Sequence, residues 1–370
     1  MTVVIGLLIL IFLILFHETG HFIFARLCGI KVEAFSVGMG PVLLHHTSKS
    51  GTDWRISLIP IGGYCAMKGE KDFADAVEQN LPCIDSAPDT FYGTHPLKRL
   101  LTAFGGPLFN LILGIAAFTA TAMIGYTYYS ADTSVSVIEE FEGEESPAKK
   151  AELKTGDIIL ELDGNPAESF ADVAAYIAEK PLEQIEVKVL RGDEEKVLYV
   201  TPALDKTNGT GKIGIMSDSS SLKEIKKEGL SFFPALKEGF VRSVNCIVLT
   251  LKGLRNLFRG VDVSSALSGP IRITTFVGDA VSDGFEAGFR SGVIMILELL
   301  ALISVSLFFT NMLPVSIFDG GLILIAATEW ILRRKLKPKL MLYIQYAGLA
   351  VVLLLMIFVI GNDIIYLIKK

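Results

Sequence analysis

Hydrophobic residues along the chain gather in four long stretches, each close to the roughly 20 residues that a membrane-spanning helix needs. They cover about residues 3–25, 100–126, 293–313 and 340–360. The first stretch has no basic segment before it and no small-residue cleavage site after it, so we expect a retained helix and not a secretory signal. The pattern predicts a polytopic α-helical membrane protein with four transmembrane helices.

The charge of one short loop predicts the orientation of these spans. Five basic residues with no acid among them follow the third span, namely Arg333, Arg334, Lys335, Lys337 and Lys339. Lys and Arg accumulate in the cytoplasmic loops of membrane proteins. We therefore expect this loop to be cytoplasmic, and both termini and the long segment after the second span to be extracytoplasmic.

The loop between the first two spans has a strand-like pattern. Residues 34–41 and 54–64 carry alternating and β-branched side chains punctuated by glycine and proline, including Gly62 and Gly63. Such segments favour strands, here bending back against the membrane, and a free strand edge could hold an unwound substrate. The alternative is an ordinary soluble hairpin on the cytoplasmic side.

The outer segment predicts a separate small domain. Residues 135–138, 158–162, 185–190 and 196–200 are typical of short strands, and 169–179 of a helix between them. Residues 148–164 (AKKAELKTGDIILELDG) resemble the start of a PDZ domain, with a turn at Gly156–Asp157 and another at Asp163–Gly164. The alternative is another small α+β domain.

The expected fold is therefore four transmembrane helices, a membrane-associated β-hairpin or sheet, and one extracytoplasmic PDZ-like α+β domain. Residues 221–290 are amphipathic and favour helix, either resting on the membrane surface or packing under the PDZ-like domain. The predicted segments are 1–27 (first span), 28–98 (reentrant strands), 99–127 (second span), 128–205 (PDZ-like domain), 206–290 (amphipathic helices), 291–335 (broken third span) and 339–367 (fourth span).

Composition excludes other classes of protein. Hydrophobic residues make up 51% of the 370 residues and charged residues only 20%, too apolar for a mostly soluble chain. The net charge of −6 argues against a nucleic-acid partner, which requires a basic surface. The four cysteines show no CxxC spacing, so we expect neither a cysteine zinc site nor a disulfide framework.

The first span contains ionisable residues that lipid should exclude. His17, Glu18 and His21 form an H-E-x-x-H motif. One helical turn separates the two histidines, which places them on one face where neutral imidazoles can bind zinc. Glu18 lies about 100° around the helix, beside the site, where it can act as a general base. Chance occurrence is less plausible here than in a soluble helix, because such groups are costly in lipid unless paired or metal-bound.

Zinc in a catalytic site needs a third protein ligand, and the third span offers one. Pro314 interrupts this span and Gly320–Gly321 frees its backbone, which predicts an unwound segment between Asn311 and Asp319. Asp319 is the only carboxylate in that segment. Counted back from the basic residues that follow each span, Asp319 and His17 would lie at comparable depths in the membrane. The alternative is a structural Asp319 that caps the following helix.

Together these motifs resemble the site-2 protease family of intramembrane zinc metalloproteases, near its bacterial regulator-of-sigma-E protease branch. The matching residues are the H-E-x-x-H motif, 35–41, 55–64, Gly106–Pro107 with Asn110, Ser268–Pro270, and Asn311, Pro314 and Asp319–Gly320. The resemblance implies that His17, His21 and Asp319 bind Zn²⁺ and that Glu18 is the catalytic base. Asn311, Pro314, Asn110, Gly62 and Gly63 are candidate substrate-binding residues. Ser316 and Phe318 depart from the family pattern of Pro and Leu.

The resemblance implies a membrane-embedded peptidase of the bacterial inner membrane. Its expected substrates are transmembrane segments of proteins already cut once, such as anti-sigma factors or remnant signal peptides, with the lipid bilayer as its surroundings. The PDZ-like domain would filter substrates by size. The main alternative is a non-catalytic membrane scaffold or metal transporter whose PDZ-like domain recruits partners.

Overall fold

The computed structural model describes residues 2–141, 144–217, 222–259, 261 and 270–369. Contacts within the chain group it into two units, each described here by itself. The helical unit comprises Met1–Met123, Ser231–Ile247 and Ser268–Lys370. The β-rich unit comprises Ile124–Leu230 and Val248–Leu267.

The secondary-structure elements are numbered in chain order. The helices are α1 (Thr2–Cys28), α2 (Glu70–Glu78), α3 (Pro96–Ile124), α4 (Pro147–Lys150), α5 (Phe170–Ala178), α6 (Phe232–Leu257), α7 (Pro270–Glu286), α8 (Phe289–Asn311), α9 (Asp319–Leu332) and α10 (Pro338–Lys369). The longer strands are β1 (Val32–Thr47), β2 (Asp53–Met67), β3 (Tyr126–Ser130), β4 (Val135–Val137), β7 (Ile158–Leu162), β9 (Ile185–Arg191), β10 (Glu194–Val200), β13 (Ile215–Ser217) and β14 (Lys223–Lys227). The two-residue strands are β5 (Glu140–Phe141), β6 (Glu144–Glu145), β8 (Asn165–Pro166), β11 (Ala203–Leu204) and β12 (Gly211–Lys212).

Among the described residues, four helices are long and apolar enough to cross a membrane, as the hydrophobic pattern predicts. Their qualifying stretches are Gly6–Cys28, Pro96–Ile124, Phe289–Asn311 and Pro338–Ile364. Two of these helices begin at a proline, which suits the first turn because no backbone N–H is needed there. The first ends before Gly29, whose φ of 81° is the left-handed conformation that commonly terminates helices.

The helices of the helical unit pack through apolar side chains. One buried cluster joins Ile9 and Leu13 of α1, Leu113 of α3, Val281 of α7 and Leu299 of α8. A close-packed interior of this kind transmits shifts of one helix to its neighbours. It therefore fixes the positions of α1 and α3, which carry the polar residues discussed below.

The third apolar span is followed by the break that the sequence predicts. Residues 312–318 are not helical, and α9 then starts at Asp319. The N-cap residue of α9 is Phe318, with no side-chain cap hydrogen bond. The alternative in which Asp319 caps a helix starting at Gly321 therefore does not describe this structure.

The loop between the first two spans forms a sheet from two long, folded strands. Residues 32–37 of β1 pair with 63–67 of β2 on one side and with 53–56 of β2 on the other. Residues 42–47 of β1 then pair with the opposite side of 53–57. The strands fold back on themselves near Gly38 and Gly62, both at φ 87°. The predicted strands at 34–41 and 54–64 are thus confirmed, although their register was not predictable.

The β-rich unit contains a four-stranded antiparallel sheet in the order β10–β9–β7–β8. The predicted strands at 135–138, 158–162, 185–190 and 196–200 are present, with bounds that differ by a few residues. The predicted helix at 169–179 is α5, capped by the Ser169 hydroxyl, which accepts from the Asp172 N–H. Buried Val173 and Ile177 of α5 pack on Ile159, Val187 and Val189 of the sheet.

Residues 221–290 are only partly helical. Helices α6 and α7 agree with the amphipathic pattern, but 223–227 form β14, antiparallel to β3. Pairing with a distant strand overrides the local helical preference there. Residues 268 and 269 of the Ser268–Pro270 motif lie outside the described residues.

Candidate metal centre and cavity

Helix α1 presents two histidines from one face. His17 and His21 are one turn apart, and their ring centroids lie 4.8 Å apart in an edge-on arrangement. The two Nε2 atoms are 3.2 Å from each other. Both rings therefore direct the same nitrogen to one point inside the helical unit.

Asp319 brings a carboxylate to that point from the start of α9. Its Oδ2 is 3.2 Å from His17 Nε2 and its Oδ1 is 3.2 Å from His21 Nε2. The three residues offer ligand atoms within 4.8 Å of one another. The tight turn before α9 requires Gly320 and Gly321, because a Cβ on either would overlap the backbone of residues 312–316. The structure thus brings together the three metal-binding residues predicted from the sequence.

A backbone carbonyl orients His21. The carbonyl oxygen of Thr102, in α3, lies 2.9 Å from His21 Nδ1. Because a carbonyl can only accept, His21 Nδ1 carries a ring proton, and in the neutral ring Nε2 presents a lone pair. That is the form of imidazole that binds a metal ion, and a second hydrogen bond of this kind typically fixes metal-binding histidines.

Asn110 occupies the same supporting position for His17. Its amide contacts His17 Nδ1 through Nδ2 at 3.0 Å, while Oδ1 is buried without a partner among the described residues. A 180° turn of the amide brings the oxygen to Nδ1, which would leave His17 Nε2 free as a ligand. The Asn110 side chain is fully buried and absent from the cavity lining, so its position differs from the predicted substrate contact.

Glycines let α1 and α3 approach closely around the histidines. A Cβ on Gly106 would lie 2.7 Å from His21 Cε1 and 2.8 Å from His17 Cε1. A Cβ on Gly105 would lie 2.6 Å from the Gly20 carbonyl oxygen. Only residues without a side chain fit between the helices at this level.

The three residues open into a cavity of about 410 Å³. Glu18 also lines it, and this carboxylate makes no hydrogen bond or ion pair within the part of the chain described. Further lining residues are Tyr64, Cys65, Met67, Glu70, Phe91, Tyr92, Ala103, Asn311, Ile317 and Leu322. Burial, reinforced by Glu18 and Glu70, raises the pKa of the Cys65 thiol to about 12, so this thiol is protonated at neutral pH.

One edge of the two-stranded sheet borders the cavity. Residues 63–67 of β2 pair with β1 on one side and, among the described residues, with no strand on the other. A Cβ on Gly63 would lie 3.6 Å from Glu18 Cγ and 2.8 Å from the Ser36 carbonyl oxygen. An unpaired strand edge therefore passes directly beside Glu18.

The remaining predicted site residues are placed differently. Asn311, the last residue of α8, lines the cavity, whereas Pro314 is exposed in the turn and does not. Gly62 makes the bend in β2, with Met39 packed against it. The sequence did not single out Thr102, which acts through a backbone atom, or the cavity residues Tyr64 and Tyr92.

The residues present fit a zinc ion. Two imidazole nitrogens and one carboxylate are the three protein ligands of a common catalytic zinc site, whose fourth position is left for water or substrate. The Asn110 Oδ1 atom, which lacks a hydrogen-bond partner in the part of the chain described, lies beside these ligand atoms. Gly106 lies beside them too, and its missing side chain leaves room for the two imidazole rings.

Known proteins resemble this chain along its whole length. The sequence profile of peptidase family M50 matches residues 5–355. A Treponema pallidum (strain Nichols) protein named "Putative zinc metalloprotease" is 30% identical over 99% of both chains. "Metalloprotease MmpA" of Caulobacter vibrioides is 31% identical over 97% of this chain and 96% of its own. Among solved structures, the PDZ domain of an SdrC-like protein from Listeria monocytogenes is 28% identical, covering 26% of this chain and 94% of its own, with a TM-score of 0.21. The chain belongs to peptidase family M50, the site-2 protease family of metalloproteases.

Proposed function

We propose that the protein is an intramembrane zinc endopeptidase that hydrolyses peptide bonds within transmembrane segments. One observation carries the proposal: two imidazole nitrogens and a carboxylate converge within 4.8 Å beside Glu18, in a unit built from membrane-length helices. Ionisable groups at that depth are costly unless paired or metal-bound, so their convergence indicates a function.

The zinc ligands would be His17 Nε2, His21 Nε2 and the Asp319 carboxylate. Bound zinc supplies a water of pKa about 7 and polarises the carbonyl of the scissile bond. Glu18 would accept a proton from the attacking water and deliver it to the leaving amide nitrogen. The Thr102 carbonyl and the Asn110 amide would hold the imidazoles in the required orientation and tautomer.

Substrate binding would use the free edge of β2. A transmembrane helix hides its peptide bonds in internal hydrogen bonds, so it must unwind before it can be cut. Residues 63–67 offer main-chain donors and acceptors beside Glu18, and an extended segment added to this edge would replace the lost hydrogen bonds. Asn311, which faces the same cavity, is the side chain best placed to contact that segment.

The membrane placement belongs to the proposal. The basic loop after α9 would lie in the cytoplasm of a bacterial cell, with both termini and the β-rich unit outside the inner membrane. Substrates would be single-span proteins that an earlier cleavage has shortened, such as anti-sigma factors or remnant signal peptides. The β-rich unit would then exclude uncut proteins by size; if it does, deleting 132–205 should accelerate cleavage of an intact substrate and leave that of a pre-cut one unchanged.

The deciding experiment is Glu18→Gln in reconstituted full-length protein, with a model transmembrane peptide as substrate. We expect cleavage to fall by at least about two orders of magnitude, as for loss of a general base, while bound zinc is retained. The matched control is Glu78→Gln, which makes the same substitution at an exposed residue at the end of α2. This variant should cleave the peptide normally. Undiminished cleavage by the zinc-loaded Glu18 variant would refute the hydrolase and favour the scaffold or transporter.

A further inference from the structure

A second cavity in the helical unit has chemistry that peptide hydrolysis does not use. Its volume is about 520 Å³, and it lies between the beginning of α3 and the end of α9. The ionisable residues lining it are His95, Arg99, Glu329, Arg333, Arg334 and Lys335. Of the residues that the structure describes, Tyr92 alone lines both this cavity and the one beside Glu18.

The lining of this cavity is strongly positive. Arg99 donates from its Nη1 to Glu329, so these two charges compensate each other. Arg333, Arg334 and Lys335 remain, three cations without a second acid. Lys335 donates to the Ile84 carbonyl at 3.0 Å, while the two arginines have no ion pair or hydrogen bond to any described residue. The cavity therefore offers two uncommitted guanidinium groups to an anion.

Aromatic rings enclose the buried Arg99 on the wall of this cavity. Arg99 is only 3% exposed, and its guanidinium lies 5.2 Å and 5.1 Å from the ring centres of Phe91 and Tyr92. Its Nε–H has no acceptor among the described residues. This Nε atom is itself buried and does not reach the cavity, so the uncommitted charged donors of the cavity are those of Arg333 and Arg334. The cavity also faces the start of α3, whose helix dipole favours negative charge.

The position of the cavity identifies the source of that anion. It lies at the ends of two apolar segments, and half-exposed Trp330 stands on its wall. Trp side chains concentrate at the level of lipid headgroups, and basic cavities at the cytoplasmic ends of helices bind anionic headgroups. We propose that this cavity binds the phosphate of an anionic phospholipid in the cytoplasmic leaflet; the proposal rests on the membrane placement given above.

The lipid can be followed through Trp330. The chain contains two tryptophans, so Trp54→Phe leaves Trp330 as the single fluorescent reporter. The full-length variant, in a neutral detergent, is titrated with brominated phosphatidylglycerol or, separately, brominated phosphatidylcholine, and quenching is recorded. We expect phosphatidylglycerol to quench at concentrations lower by about tenfold or more, because its net charge matches the cavity.

Two pairs of substitutions distinguish lipid binding in the cavity from lipid attraction by the overall positive charge of this region. Arg333→Gln with Arg334→Gln should raise the half-saturating concentration of phosphatidylglycerol about 25-fold, since each basic residue near a headgroup contributes roughly a factor of five. Lys337→Gln with Lys339→Gln removes the same charge from the loop and the first turn of α10, but not from the cavity lining. This control pair should change the titration less than about threefold, because neither lysine lines the cavity and solvent screens its charge from a headgroup bound there.

Three results would overturn the proposal. They are equal quenching by the two lipids, equal losses in the two substitution pairs, and displacement of the lipid by inorganic phosphate at matched ionic strength. The last result would assign the cavity to a soluble anion. Because none of these measurements involves peptide cleavage, failure of the lipid site and failure of the protease assignment are distinguishable.

Discussion

Gly106→Ala tests whether the close approach of α3 to the histidines sets metal affinity. The added Cβ would lie 2.7 Å from His21 Cε1 and 2.8 Å from His17 Cε1, where ordinary contacts begin at 3.4 Å. The atom nearest to the added Cβ is His21 Nε2, a proposed zinc ligand, so the rings must retreat by at least about 0.6–0.7 Å, well beyond the ±0.2 Å tolerance of metal–ligand distances. Overpacking of this size costs about 1–3 kcal/mol, and we expect the Kd for zinc to rise about 10- to 100-fold.

The measurement is chelator competition against the full-length protein in detergent, with thermal unfolding recorded in parallel. Gly114→Ala is the matched control, because it adds the same methyl group to the same helix and, among the described residues, comes closer than ordinary contact only to Val305, at 2.5 Å. Both variants should lose stability, but only Gly106→Ala should lose zinc. Equal zinc affinity in the two variants would refute the claim that Gly106 positions the ligands.

Three other predictions address the supporting contacts. Asp157→Asn should destabilise the β-rich unit by about 3 kcal/mol, because Arg191 donates twice to this buried carboxylate, at 2.7 Å each. Burial raises the pKa of Asp157, but hydrogen bonds from Arg191 and the Lys154 N–H outweigh burial and lower this pKa. The stabilisation by Asp157 is therefore complete above about pH 4 and is lost as the pH falls through the lowered pKa. Hydrogen exchange of the β7 amides should show the stabilities of the variant and the unaltered protein converging in acid. Asn110→Leu should raise the Kd for zinc about 10-fold or more without unfolding the protein, because it removes a ring partner; unchanged affinity would contradict a positioning role. Gly63→Val should abolish cleavage while zinc remains bound, because its side chain would collide with the neighbouring strand; normal cleavage would exclude the strand edge as the substrate site.

The sequence predicted the chemistry of the candidate site better than its surroundings. The spacing of His17 and His21 determines that they share a helix face, and this is a local property of any helix. Asp319 could be found because its segment offers no other carboxylate. In both cases the physical constraint, an apolar environment, leaves few residues to consider.

The contacts that support the site could not be predicted in the same way. The Thr102 carbonyl carries no signature in the sequence, because every residue has one. The Arg99–Glu329 pair joins residues 230 positions apart, and the strand β14 forms only because β3 lies beside it. Such features depend on which distant segments meet, which hydrophobic periodicity alone does not specify.

The order of the metal-site residues along the chain has a consequence for biosynthesis. The ribosome makes His17, Glu18 and His21 within the first helix, but the carboxylate that completes the donor set comes only at residue 319 of 370. Until then the growing chain holds a base and two imidazoles without their third partner. If the protein is the intramembrane peptidase proposed above, this order leaves the nascent polypeptide without a complete zinc donor set until residue 319 has been made.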